Sequence, residues 1–422
     1  MPRRRTLVAG GIAVAAIGTV AVLRPRDAGQ PHDGYFARLQ QGLREAGIAA
    51  PTVVVDRDRL RRNLARIRQL AKLPLRVVVK SLPSMALVDL ALSAWHTDRA
   101  MLFNGPQLLQ VANGRPRAQV LLGKPLPAAA AQRVIAGVGG DALEHIQWLV
   151  DTPQRVQQYG ELARAVQRPL KLNVEIDVGL HRGGVETTEM LMAMLSAIRN
   201  HPFLRWSGFM GYDAHVAAIP DLPGARSRAG ELARERYAAM WDAASRGLTT
   251  PLARDVLTLN TGGSLTFHLH GRDGLPNEVA VGSAAVKPSE FDVASLAELE
   301  PAVFIATPVL KDLADFRLPE GVPLVASLAR AWDPNQARAF AIHGGNWQAD
   351  VVSPGGIAPS GLFGPSANQQ VMVASAATGL RPDDFVFLRP RHSEAVLLQF
   401  GDIAMVEQGR VVAMAPVFPA SA

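Results

Sequence analysis

Between residues 51 and 281 the chain alternates short apolar runs with longer amphipathic ones, and this rhythm restricts the fold more than any other feature. The apolar runs at 51–56, 76–79, 100–103, 119–122, 147–150, 172–177, 204–210, 256–260 and 278–281 read as strands. The segments at 58–70, 84–94, 106–113, 128–137, 153–166, 186–200 and 226–246 read as helices. Strands this short and this apolar, each followed by a helix, indicate a parallel β/α architecture. About eight such units over about 230 residues suit a closed barrel better than an open doubly wound sheet, which is the alternative.

After Lys287 the rhythm changes. Strand-like runs at 302–309, 324–331, 338–342, 385–388, 395–400 and 410–416 follow with little helix among them, so a β-rich second domain is expected. The fold class is therefore α/β, a (β/α)8 TIM-like barrel followed by a β-rich C-terminal domain. The expected division is 1–27 as leader, 28–50 as linker and short helix, 51–290 as barrel and 291–422 as β-domain.

The leader begins with Arg3, Arg4 and Arg5, continues uncharged from Thr6 to Leu23 and closes on Arg24-Pro25-Arg26. A basic region followed by an apolar one reads as an export signal or a membrane anchor through residues 6–23, just long enough for about 30 Å of hydrocarbon. The paired arginines resemble a twin-arginine signal, which places the catalytic part on the periplasmic side. The 422 residues contain no cysteine, which excludes disulfides, thiolate zinc sites and thiol nucleophiles. The net charge of +7 is spread along the chain, apart from an arginine cluster at 57–68 that reads as the solvated face of a helix. No recognition motif accompanies it, so nucleic acid is not an expected partner.

Chemistry-bearing residues fall at the expected strand ends. Lys80 closes the second apolar run; a lysine at the mouth of a buried strand is desolvated, its pKa falls, and its amine becomes a nucleophile. Arg182 lies in the glycine-rich turn after 172–177, and Tyr212 follows 204–210. Thr261-Gly262-Gly263-Ser264 and Gly282-Ser283 are small-residue turns directly after strands, where backbone N–H groups can approach an anion closely. An amine, a guanidinium and two anion-binding turns at one barrel mouth suggest a Schiff-base enzyme holding an anionic cofactor. His215, just beyond Tyr212, is a candidate base. His268 and His270 read as barrel surface or a subunit contact.

The segments Val79-Lys80-Ser81, Glu175-Ile176-Asp177-Val178-Gly179-Leu180-His181-Arg182-Gly183-Gly184, Gly211-Tyr212-Asp213-Ala214-His215, Thr261-Gly262-Gly263-Ser264 and Val281-Gly282-Ser283 occur in that order. In this the chain resembles the fold-type III pyridoxal-phosphate enzymes, the alanine-racemase-like barrels, and within them the D-threonine aldolase and D-serine dehydratase branch. The resemblance implies that Lys80 carries pyridoxal 5'-phosphate as a Schiff base and that Arg182 bonds the cofactor's phenolate oxygen. It also implies that Tyr212 lies against the ring and that the turns at Thr261, Gly262, Gly263, Gly282 and Ser283 hold the phosphate. That branch carries a divalent metal near the C-terminus on His-x-Cys or His-x-Asp; the matching place here is His392-Ser393-Glu394. On an extended segment both side chains would face one way, so His392 and Glu394 are expected to share Zn²⁺ or Mn²⁺.

The implied activity is a metal-assisted lyase on D-β-hydroxy amino acids, most directly retro-aldol cleavage to glycine and an aldehyde. D-Serine dehydration is the second choice. A racemase needs a second Cα base, and none of the four tyrosines (Tyr35, Tyr159, Tyr212 and Tyr237) lies after Phe291. A non-catalytic cofactor-binding protein ranks last. Related enzymes are commonly homodimers.

Overall fold

The computed structural model describes residues 24–220, 222–247, 253–313, 332–394 and 396–419. Residues 1–23 of the expected leader at 1–27, and the expected strand at 324–331, lie outside the described residues. Among the described residues, no helix is long and apolar enough to cross a membrane.

In chain order the elements are α1 (Gly34–Glu45), β1 (Thr52–Asp56), α2 (Arg57–Leu70), β2 (Leu75–Val78), α3 (Met85–Trp95), β3 (Arg99–Leu102), α4 (Gly105–Gly114) and β4 (Gln119–Leu122). Then come α5 (Ala128–Gly137), α6 (Gly140–Leu143), β5 (Ile146–Val150), α7 (Pro153–Val166), β6 (Leu170–Glu175), α8 (Thr188–Asn200), β7 (Leu204–Gly211), α9 (His215–Ala218) and α10 (Ala225–Arg246). The strands β8 (Thr258–Thr261) and β9 (Glu278–Val281) and the short α11 (Ser283–Val286) complete this run. Strands β2 to β9 close into a parallel barrel, the seam being β2 against β9 with Arg76 opposite Ala280.

Three of the barrel helices start at a capping side chain. The side chains of Asn104, Thr152 and Thr187 accept the backbone N–H of Gln107, Arg155 and Met190, satisfying donors that a first helical turn leaves orphaned. Their apolar stripes turn onto the strands: Leu108 and Val111 on α4, Leu191 and Ile198 on α8 are buried. The arginine-rich face of α2 is paired, with Arg62 on Glu300 at 2.8 Å and Arg57 on Glu407 at 3.1 Å.

One expected barrel strand belongs elsewhere. β1 is buried along its whole length and joins the second, nine-stranded sheet, so the barrel begins at Leu75. A strand buried on both faces carries no mark of which sheet receives it.

The second compact unit gathers residues up to Val54, Phe304–Pro390 and Gln408–Val412, whereas Arg391–Glu407 and Ala413–Ala422 cluster with the barrel. The units therefore do not follow a single cut at residue 291. In the second unit β10 (Val303–Asp312), β11 (Arg338–His343), β12 (Ala349–Ser353), β13 (Ile357–Pro359), β14 (Gln369–Ala374) and β15 (Phe385–Pro390) pair antiparallel, with order β13-β14-β11-β10 and β15 joining β10 to β12. Helix α1 lays Phe36 against Phe304 and Phe387, ring centroids 5.2 and 5.0 Å apart. The short strands β12, β13 and β14 were not expected, because few of their residues are fully buried and their apolar signal is weak. The expected strand at 395–400 is a turn from Val396 to Leu398, and the strands that follow are β16 (Ile403–Glu407) and β17 (Arg410–Ala415).

Candidate active site

At the carboxyl-terminal ends of the barrel strands, a pocket is lined by Lys80, Ser81, Arg182, Tyr212, Gly262, Gly263, Ser264, Gly282, Ser283 and Glu394. Lys80 sits on a tight turn, Val79–Ser81, that takes over directly from β2. Its amine lies 4.5 Å from the centre of the Phe103 ring and 3.4 Å from a carboxylate oxygen of Glu394. The expected desolvation is not found: the side chain is 39% exposed and faces a carboxylate. The turn lifts the lysine out of the buried strand and onto the rim.

Arg182 stands over the Tyr212 ring at 4.8 Å. The loop presenting it is built on Asp177, whose carboxylate accepts the N–H groups of Gly179 at 2.7 Å and His181 at 3.1 Å, and meets the His181 ring at 2.6 Å. Burial would raise the pKa of Asp177, but these N–H groups and the imidazole bring it below the usual carboxylate range. Burial raises the Tyr212 hydroxyl pKa, against the pull of Arg182.

The two small-residue turns meet as expected, for steric reasons. A Cβ on Gly263 would lie 2.8 Å from the Tyr212 ring, and one on Gly282 would lie 2.8 Å from the Ser81 hydroxyl. Neither position has room for a side chain. Between the turns the Ser264 hydroxyl accepts N–H groups from Gly282 at 3.2 Å and Ala284 at 3.1 Å. Two backbone donors thus converge on the serine's own oxygen, a clustering of N–H groups of the kind that receives an anion. Ser283 bonds Ser81 and Ser393, each at 3.0 Å.

Other expected residues fall outside this pocket. Thr261 is buried and donates its hydroxyl to the Gly211 carbonyl at 2.9 Å, tying β8 to β7. His215 opens α9, its Nδ1 buried without a partner and its ring packed toward Gly179; burial lowers its pKa. The turn after β7 directs it toward the Arg182 loop and away from Lys80. His270 is not a surface residue: it is bonded to Asp213 at 2.8 Å, and Thr266 holds the other oxygen of Asp213 at 2.6 Å.

The expected metal pair does not form. His392 bonds Glu290 at 3.0 Å and is not part of the pocket lining, whereas Glu394 reaches Lys80, Ser81 at 3.2 Å and Ser283 at 3.4 Å. The segment beyond residue 393 turns instead of running extended, so the alternation that would align the two side chains is absent. Among the described residues, Asp177, His181 and Glu186 do bring possible ligand atoms within 4.8 Å of one another, but Asp177 is occupied by its own loop. These residues do not fit a divalent ion at 392 and 394.

Three features of the barrel mouth were missed: Ser264 as the oxygen between the turns, Glu394 as the partner of Lys80, and, beside this pocket, Glu175. The last ends β6, with its carboxylate pushed up to about 7 by burial and then by Asp151, against Arg182. Its position two residues before Asp177, in the same motif as Arg182, was the available signal.

A barrel with a lysine on the turn after its first strand, an arginine loop after its fifth and an anion cradle after its last two belongs to a known class. Residues 55–289 match the family model for the alanine racemase N-terminal domain, and the chain belongs to that family of fold-type III pyridoxal-phosphate barrels. It is similar to 3-hydroxy-D-aspartate aldolase of Paracoccus denitrificans, 24% identical over a match covering 66% of this chain and 72% of that protein. In structure it resembles D-threonine aldolase from Filomicrobium marinum, with TM-score 0.69, 17% identity and coverage of 93% and 98% of the two chains. It also resembles D-threo-3-hydroxyaspartate dehydratase from Delftia sp. HT23, with TM-score 0.68, 16% identity and coverage of 94% and 100%.

Proposed function

We propose that this chain is a pyridoxal-phosphate-dependent lyase of D-β-hydroxy amino acids, cleaving the Cα–Cβ bond to glycine and an aldehyde. The observation that carries this reading is the position of Lys80, on the rim between Arg182 and the cradle at Gly262, Gly263, Gly282 and Ser283. The residues fit the cofactor: the Gly282 and Ala284 N–H groups and the Ser264 hydroxyl converge at the pocket wall, and the glycines at 263 and 282, where no side chain fits, bring bare backbone up to it. When bound, pyridoxal phosphate supplies an electron sink for charge developing at Cα.

The protein's own groups divide the remaining work. Lys80 would hold the cofactor covalently, Arg182 would donate to its phenolate oxygen, and Tyr212 would lie against its ring. Ser264, Gly282 and Ala284 would receive the phosphate. Retro-aldol cleavage requires the β-hydroxyl to lose a proton as the bond breaks. We assign that proton to Glu394, the carboxylate within 3.4 Å of Lys80. No step needs His392.

Support comes from the relatives named above, two aldolases and a dehydratase whose names give hydroxylated D-amino acids as substrates. Purified protein supplied with cofactor should develop a visible band and release acetaldehyde from D-threonine. Lys80→Ala should lose the band and at least about a thousandfold in rate. Pyruvate from D-serine without acetaldehyde from D-threonine would replace the aldolase by a dehydratase, and formation of the L-isomer would replace it by a racemase. A protein with no cofactor band would overturn the proposal.

A further inference from the structure

Lys80, Phe103, Gly123, Arg182 and Glu394 line a second chamber as well as the cofactor pocket. Its polar wall comes mainly from the segments after β3 to β6, with Asn104, Gln107, Lys124, Asp151 and Glu175, and it is completed by Leu398 and Gln399 of the C-terminal segment. The barrel mouth is thus divided, with the anion cradle on the β7–β9 side and a polar chamber on the β3–β6 side. Lys80 stands at the seam.

This wall is unsatisfied. Gln107 is 2% exposed, yet its amide oxygen has no hydrogen-bond partner. The Asn104 carboxamide oxygen caps α4 by accepting the Gln107 backbone N–H, which leaves the Gln107 side-chain oxygen without a donor. Buried acceptors are nearly always paired, by a ligand if not by the protein. Among the described residues Lys124 makes no ion pair, and the carboxylates of Asp151 and Glu175 make neither an ion pair nor a hydrogen bond.

On the lyase reading, the substrate's amino group is taken up at the cofactor. Its α-carboxylate and its β-substituent are left to be recognised. We infer that this chamber is the substrate subsite, in which Lys124 receives the α-carboxylate and Asp151, with Glu175 beside it, selects neutral β-substituents over anionic ones. Lys124 is the cation of this wall not engaged with the cofactor. An uncharged alkyl or aryl group meets no penalty from the facing carboxylates, whereas a second carboxylate on the substrate meets like charge. Gln107 is placed to accept a hydrogen bond from a water beside the substrate's β-hydroxyl, whose own proton goes to Glu394.

The test compares D-threonine with D-threo-3-hydroxyaspartate on the cofactor-loaded enzyme. D-Threonine should be preferred by at least about tenfold in kcat/KM, and Asp151→Asn should shift that ratio toward hydroxyaspartate by about tenfold. Lys124→Met should raise KM for both substrates by about tenfold, with kcat changed less. A second readout is the shift of the cofactor's visible band on titration, whose midpoint should move with KM in Lys124→Met. Circular dichroism and the melting midpoint verify folding, and Asp151→Ser provides a second variant if the first is unstable. Preference for hydroxyaspartate by the native enzyme, a ratio unmoved in a folded Asp151 variant, or an unchanged KM in Lys124→Met would each overturn the inference. Failure to cleave any D-β-hydroxy amino acid would instead count against the lyase reading itself.

Discussion

At the amino-terminal ends of the barrel strands, Glu278 is 1% exposed and receives Arg76 through bonds of 2.5 and 2.9 Å, Arg99 at 3.1 Å and Asn260 at 2.8 Å. Arg76 also donates to the Ala100 carbonyl at 2.9 Å. Burial would raise the pKa of Glu278, but the two guanidinium groups and the amide hold it below the usual range. At the opposite end, Asp151, Glu175 and Lys124 face a chamber without pairing, and Glu175 is pushed up to about 7. One barrel therefore closes its base with a saturated charge cluster and leaves its mouth undersatisfied. The base contributes a single well-defined arrangement; the mouth keeps donors and acceptors free for a ligand, at a cost in stability.

Substitutions can break this contrast. Arg76→Met would remove the bidentate partner of a buried carboxylate, leaving it Arg99 and Asn260, and should destabilise the protein by about 3 kcal/mol, measured by denaturant unfolding. A loss below about 1 kcal/mol would mean that water reaches the base. Glu175→Gln should act in the opposite direction. The folded pKa of Glu175 lies above its ordinary 4.5, so its stabilising contribution is complete below that pH and is lost as pH rises through about 7. The Gln variant should match the parent near pH 4.5 and exceed it by about 2 kcal/mol at pH 8. Equal stability at both values would show that Glu175 is solvated. The smallest effect is expected at the exposed Arg115–Asp89 pair, 2.6 Å apart with side chains 45% and 41% exposed. Arg115→Ala should change stability by about 0.5 kcal/mol, and less at high salt.

Much of this was legible in the sequence. Strand and helix periods placed α5 and α7 to the residue and eight barrel strands to within a few positions, because each strand's burial and each helix's stripe is a local pattern. Lys80, Arg182, Tyr212 and the two glycine turns were found together because barrel topology gathers strand ends at one mouth. The errors arose where a side chain's direction depends on a turn. Residues 392 and 394 were expected to face one way, but a turn after residue 393 sends Glu394 to Lys80 and leaves His392 with Glu290. His215 was assigned from its distance along the chain after Tyr212, and one helical turn carried it out of the pocket.

By itself, the sequence determined that this protein builds a parallel barrel and which strand ends carry an amine, a guanidinium and an anion cradle. These properties follow from periodicity and from residue types that act where they stand. Tertiary structure alone decided which charges are paired and which are left open: the Arg76–Glu278 contact spans 202 residues and the Lys80–Glu394 contact more than 300. Pairing across such separations depends on the closure of the barrel and the return of the chain after residue 390, neither of which any local pattern encodes.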